Sequence, residues 1–120
     1  MSKTVLVVED DPDLRFLYVT ALHGREYTVL EAKTNAEASA ILEDSSVMID
    51  LAILDMAMPD IPGTRIVEII RNHERFPNIP IIVITANEHY QERLGDKVDR
   101  FFLKPVAISD VVDSVSELVN

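Results

Sequence analysis

Residues 49–63 read IDLAILDMAMPDIPG. An apolar run from Leu51 to Leu54 stops at Asp55, and Pro59, Pro62 and Gly63 then keep the chain irregular until another element can begin. A short continuous apolar run bounded in this way reads as a strand covered on both faces, the kind found in a parallel sheet. Asp55 therefore stands at the tip of a rigid, buried element, beside backbone that a ligand can approach.

Two more runs repeat the pattern: TVLVV (Thr4 to Val8) and IPIIVIT (Ile79 to Thr85). YTVLEA (Tyr27 to Ala32) alternates more and suits an edge strand, and DRFFLK (Asp99 to Lys104) is a fifth candidate. Between the strands the period becomes helical. Leu14, Leu17, Tyr18, Ala21 and Leu22 share a face, with Asp11 as N-cap and Pro12 in the first turn. Thr34 and Glu37 form a capping-box pattern before a second helix, and Ile66, Val67 and Ile70 mark a third. Glu88 to Leu94 is a shorter, weaker helix, and Ile108, Val111, Val112, Val115, Leu118 and Val119 mark the last. A β-α unit repeated five times, with right-handed crossovers, predicts an α/β fold with helices on both faces of a parallel sheet.

Bulk composition narrows the function classes. At 120 residues the chain suffices for one domain with a real core, taken as 1–120, and 48% apolar residues argue against disorder. The net charge of −10 disfavours nucleic acid and anionic membrane surfaces and favours a cation as partner. The absence of cysteine excludes disulfides, zinc thiolates and cysteine nucleophiles. No stretch has the length of a membrane span, and acidic residues interrupt the N-terminal apolar run, so a cytoplasmic protein is expected.

The polar residues gather at one end of the expected sheet. Glu9, Asp10 and Asp11 follow the first strand, Asp55 ends the third, Thr85 the fourth and Lys104 the fifth. Open α/β sheets bind ligands beyond the carboxyl ends of their strands. Carboxylates crowded there repel one another, and a divalent cation reverses the penalty. All-oxygen ligands suit Mg2+, with Mn2+ as the alternative. A strand-end carboxylate beside such an ion can act as a nucleophile on a phosphoryl group, with Thr85 donating a hydrogen bond and Lys104 a positive charge.

At these residues the sequence resembles a two-component response regulator receiver domain from Lys3 to about Val119. VLVVEDDPDLR is similar to the family's first strand and acidic pair, DMAMPDIPG to its phosphorylation loop, IIVITA to its fourth strand and FFLKP to its fifth. The resemblance implies a flavodoxin-like (βα)5 fold with strand order 2-1-3-4-5. It implies that Asp55 accepts a phosphoryl group from a histidine kinase or histidine phosphotransfer protein. It further implies that Asp10, Asp55 and the Ala57 carbonyl bind Mg2+, with Glu9 nearby through water. Thr85, Lys104 and the Ala86 amide would hold the phosphoryl group, and Thr85 and Phe101 would form the conformational switch. A cis Lys104–Pro105 peptide is implied too. Such a domain catalyses only its own phosphorylation and dephosphorylation, passes its state to an output partner or effector domain, and in some cases forms a phosphorylation-dependent homodimer. Met1 suggests a true N-terminus, and the end at Asn120 fits either a stand-alone regulator or a piece of a longer protein.

Two departures stand out. Phe101 lacks the hydroxyl of the family's commoner tyrosine. The stretch from Thr85 to Lys104 is about three residues short, near one helical turn, with Lys97 and Val98 in place of the usual Gly-Ala. The deficit falls on the fourth helix, part of the family's usual output face. Competing readings are weaker. A haloacid-dehalogenase-like phosphatase wants a second acid where Ala57 stands. A nucleotide-binding domain wants a glycine-rich loop that Gly24, Gly63 and Gly95 do not build. A pseudo-receiver, binding partners without phosphorylation, is disfavoured because Glu9, Asp10, Asp55, Thr85 and Lys104 are all present. His23, His73 and His89 share no metal-ligand spacing and are expected at the surface near helix ends, and Met58 is expected to pack rather than react.

Overall fold

The structure, a computed structural model, describes residues 2–119. Strands β1 (Thr4–Val8), β2 (Thr28–Ala32), β3 (Leu51–Asp55), β4 (Ile81–Thr85) and β5 (Arg100–Leu103) alternate with helices. These are α1 (Pro12–Gly24), α2 (Asn35–Glu43), α3 (Gly63–Arg71), α4 (His89–Leu94) and α5 (Ile108–Val119), and a single 3-10 turn, Gly95–Lys97, comes directly after α4. All four strand pairings are parallel and the order is β2-β1-β3-β4-β5. This is the expected doubly wound α/β arrangement.

The continuous apolar runs become the central strands for the expected reason: every residue of β3 and β4 is buried. Alternation along the strands divides the core in two. Leu6, Val8, Ala52, Leu54, Ile81 and Val83 pack with α2, α3 and Leu94 on one side of the sheet. Val5, Val7, Leu51, Ile53, Ile82 and Ile84 pack with α1 and α5 on the other.

Local sequence sets the helix starts. Asp11 Oδ1 accepts the Asp13 and Leu14 amides at 2.9 and 3.2 Å ahead of Pro12. Thr34 Oγ1 accepts the Glu37 amide at 3.1 Å. The returning Glu37 carboxylate takes the Lys33 amide rather than that of Thr34, so the box closes one residue early. On α1 the buried stripe is Tyr18, Val19 and Leu22, flanked by Leu14 and Ala21. Leu17 is 50% exposed, contrary to expectation, because it lies about 140° around the helix from Leu22, on the side away from Val19 and off the edge of the stripe. Two strands begin later than their apolar runs. The Tyr27 amide turns back to the Leu22 carbonyl that closes α1, and Pro80 has no amide to give a ladder.

The fourth helix has six residues. Gly95, at φ +54°, reverses the chain where most side chains would be strained. Arg71 fastens the segment between this reversal and β5. Its guanidinium donates to the carbonyls of Lys97 (2.9 Å), Pro77 (3.0 Å) and Ile79 (2.7 Å) and pairs with Asp99 at 3.2 Å. Asp99 in turn accepts the Ile81 amide at 2.8 Å, at the start of β4. His23 and His89 are exposed as expected, whereas His73 is half-buried and stacked on Phe76 with ring centroids 4.1 Å apart.

Candidate functional site

Register assembles the site. Val8 pairs with Leu54, Asp55 with Ile84 and Thr85 with Leu103, so Glu9, Asp55, Thr85 and Lys104 emerge side by side at one end of the sheet. The Lys104 amide donates to the Thr85 carbonyl at 2.8 Å, which fixes the fifth strand tip against the fourth. The adjoining Lys104–Pro105 peptide is cis, as the resemblance implied.

Lys104 Nζ lies 2.9 Å from Asp55 Oδ2 and 3.1 Å from Glu9 Oε1. Asp55 Oδ1 accepts the Ala57 amide at 2.9 Å. Both carboxylates are almost fully enclosed, Glu9 2% and Asp55 3% exposed, whereas Asp10 is open to solvent. Burial pushes the Glu9 carboxyl up to about 7; the Asp11 amide at 3.1 Å draws it down and the negative charge of Asp55 adds to the rise. For Lys104 burial acts downward, but the hydrogen bonds and charges of Asp55 and Glu9 outweigh it and the ammonium is held above its ordinary range.

Carboxylate oxygens of Glu9, Asp10 and Asp55 lie within 4.8 Å of one another. A hard divalent cation fits this set: the ligands are oxygens, two are buried, and ionising all three together is costly without added positive charge. Asp10 reaches in from solvent, leaving room for the water ligands that Mg2+ retains.

Thr85 is fully buried and its Oγ1 accepts the Asn87 amide at 3.3 Å. Ala86 is exposed and, with Asn87, Glu88, His89, Leu103 and Lys104, lines a cleft of about 330 Å³. Phe101 is half-buried and pairs with Val83. Strand alternation puts Thr85 on the same sheet face as Val83 and Phe101, the side of α3 and α4. Met56 and Met58 are both buried beneath the loop. A Cβ on Gly63 would stand 2.7 Å from Met56 Cε and 2.9 Å from its Cα, so only glycine lets α3 start this close to the strand tip.

Two neighbours went without a role in the sequence. Arg15 donates to the Glu9 carbonyl at 2.8 Å and pairs with Glu31 at 3.2 Å, clamping the end of β1. Its place one helical turn after the Asp11 cap was the available signal. Tyr18 is 2% exposed, and its hydroxyl has no hydrogen-bond partner among the described residues. Burial, with the negative charge of Glu9, pushes it up to about 12. Nothing in the sequence separates it from the other apolar positions of α1.

The profile described as "Response regulator receiver domain" matches residues 5–116, and the chain belongs to that family. Among curated relatives it is 31% identical to the sensor kinase CckA of Brucella abortus over 99% of this chain but 13% of that protein. It is 30% identical to the phosphate regulon transcriptional regulatory protein PhoB of Pseudomonas aeruginosa over 93% of this chain and 49% of that one. The chain thus spans half or less of these two relatives. Among solved structures, a CheY-like receiver domain protein from Methanospirillum hungatei superposes with a TM-score of 0.88 at 25% identity, covering 98% and 93% of the two chains. The response regulator protein TrrA of Thermotoga maritima, in complex with Mg2+–BeF, superposes with a TM-score of 0.82 at 31% identity, covering 97% and 98%. This is a receiver domain of the two-component signalling type. Among the described residues no helix is long and apolar enough to cross a membrane.

Proposed function

We propose that the domain is a phosphorylation-operated switch, with Asp55 as the phosphoacceptor. The observation that carries this reading is Lys104 Nζ spanning Asp55 and Glu9 at aligned strand tips, beside Asp10 and Thr85. The donor is a phosphohistidine on a histidine kinase or phosphotransfer protein in the cytoplasm. A carboxylate oxygen of Asp55 forms the bond to phosphorus while the P–N bond to the donor imidazole breaks, and the departing nitrogen keeps the electron pair.

Glu9, Asp10, Asp55 and the Ala57 carbonyl would hold Mg2+, which neutralises charge on the phosphoryl oxygens when bound. The Mg2+–BeF complex of TrrA supports that ligand chemistry for this fold. Lys104 exchanges its bond to Asp55 for one to a phosphoryl oxygen, the Ala86 amide takes another, and the Thr85 hydroxyl turns from the Asn87 amide to donate to a third. As Thr85 moves, Phe101 follows on the same face, shifting the balance between two conformations for an output partner to read.

The test is incubation with acetyl phosphate and Mg2+ followed by intact mass measurement. The wild type should gain one phosphoryl group, and Asp55→Asn and a chelated control should gain none. No gain by a folded wild type that also fails to bind beryllofluoride would leave a pseudo-receiver instead.

A further inference from the structure

The loop between Asp55 and α3 is attached to α2, an element the phosphoryl chemistry does not use. Asp60 Oδ2 accepts the Ala36 amide at 2.8 Å, and its Oδ1 accepts that of Asn35 at 3.3 Å. In the other direction the Asn35 side-chain amide donates to the Ile61 carbonyl. Thr34 already takes the Glu37 amide. The free donors of the first turn of α2 are therefore shared between its own cap and a carboxylate from a loop more than twenty positions away.

Both residues are unusual for their places. Asp60 is exposed, yet its carboxylate is held below the ordinary range, chiefly by the Ala36 amide. Asn35 is fully buried in the first turn of the helix, and its Oδ1 has no partner among the described residues. Alanine would suit a buried helical position better on both counts. What asparagine adds is the donor to Ile61. The loop is thus pinned at three points: the Ala57 amide on Asp55, Asp60 and Ile61 on α2, and Gly63 against Met56.

We propose that Asp60 and Asn35 are positioning residues for the metal site, fastening the loop to the start of α2 so that the Ala57 carbonyl stands ready for Mg2+. This rests on the metal reading above and extends it to residues that touch neither metal nor phosphoryl group. It makes α2 part of the apparatus that sets metal affinity. Outer-shell partners of metal ligands commonly change affinity by about 10- to 100-fold.

The experiment is calorimetric titration of the unphosphorylated protein with MgCl2, paired with thermal unfolding of the same samples. Asp60→Ala and Asn35→Ala should each weaken the Mg2+ dissociation constant by about tenfold. Asp60→Asn, which keeps one acceptor, should recover part of the loss. Thr34→Ala removes a cap from the same helix without touching the loop, so it should lower the melting temperature and leave Mg2+ affinity unchanged. Asp60→Ala binding within twofold of wild type would overturn the proposal, as would equal weakening by Thr34→Ala. A folded wild type that binds no Mg2+ would overturn the metal reading itself and this proposal with it.

Discussion

At Glu9, burial and the neighbouring Asp55 charge both penalise ionisation, and the Asp11 amide and Lys104 relieve only part of the penalty. A carboxyl raised from 4.5 to about 7 in the folded state holds its proton where the unfolded chain has released it. Its contribution to stability is therefore complete below pH 4.5 and lost as the pH rises through about 7. In the presence of a chelator, the urea midpoint should fall between those values, and Glu9→Gln should flatten that part of the profile. Identical profiles for the two proteins would contradict the assignment. Glu9, Asp55 and Lys104 were legible because each is the first polar residue after an apolar run, and Asp10 because it follows Glu9 directly. Tyr18 and Asp60 were not, and Arg15 offered only its place one helical turn after the Asp11 cap. Their roles depend on which strand tip a helix starts above and which helix a loop crosses, and neither is a local property. The burial of Asp55 and Glu9 is likewise a result of packing, since a strand-end acid in sequence gives no sign of whether water reaches it.

Among the elements, the six-residue α4 leads into a segment that one side chain from α3 holds in place. Arg71 reaches the Lys97 carbonyl and Asp99 after α4 and, before β4, the carbonyls of Pro77 and Ile79. Arg71→Ala leaves these acceptors without a charged donor. It should cost about 2–3 kcal/mol in urea unfolding, with hydrogen exchange rising first in residues 95–99. A loss within about 0.5 kcal/mol, the range of ordinary surface substitutions, would show that water replaces the guanidinium freely. The sequence showed a short helix at Glu88 to Leu94, but the fastening lies in α3, where Arg71 reads as an ordinary basic residue in a last turn. The boundaries of β2 and β4 slipped for a related reason. Tyr27 and Ile79 are apolar enough for a strand, but their amides turn back locally, to the carbonyls of Leu22 and Phe76.

For the molecule as a whole, a net charge of −10 with three carboxylates converging at one end of the sheet favours a divalent cation as ligand, as the proposed function requires. Binding to the folded state alone should add about 2.7 kcal/mol of stability at a free Mg2+ concentration about 100 times the dissociation constant. Urea unfolding across a Mg2+ series would check this, with the increment absent in Asp10→Asn. The doubly wound order was legible because alternating periods leave few topologies, and the resemblance supplied the choice among them.

The division of the core into two fillings has a further consequence. Strand alternation leans Glu9, Asp55 and Lys104 toward the filling of α1 and α5, whereas Thr85 and Phe101 belong to that of α3 and α4. On the function proposed above, the sheet would be a partition: a phosphoryl group on Asp55 would arrive in one room, and Thr85 and Phe101 would carry its news into the other. A donor seated over α1 would meet much the same wall before and after the transfer, while a listener across the partition would find the furniture moved. Delivery and reading would then not compete for the same ground, and one small domain could keep its correspondents apart.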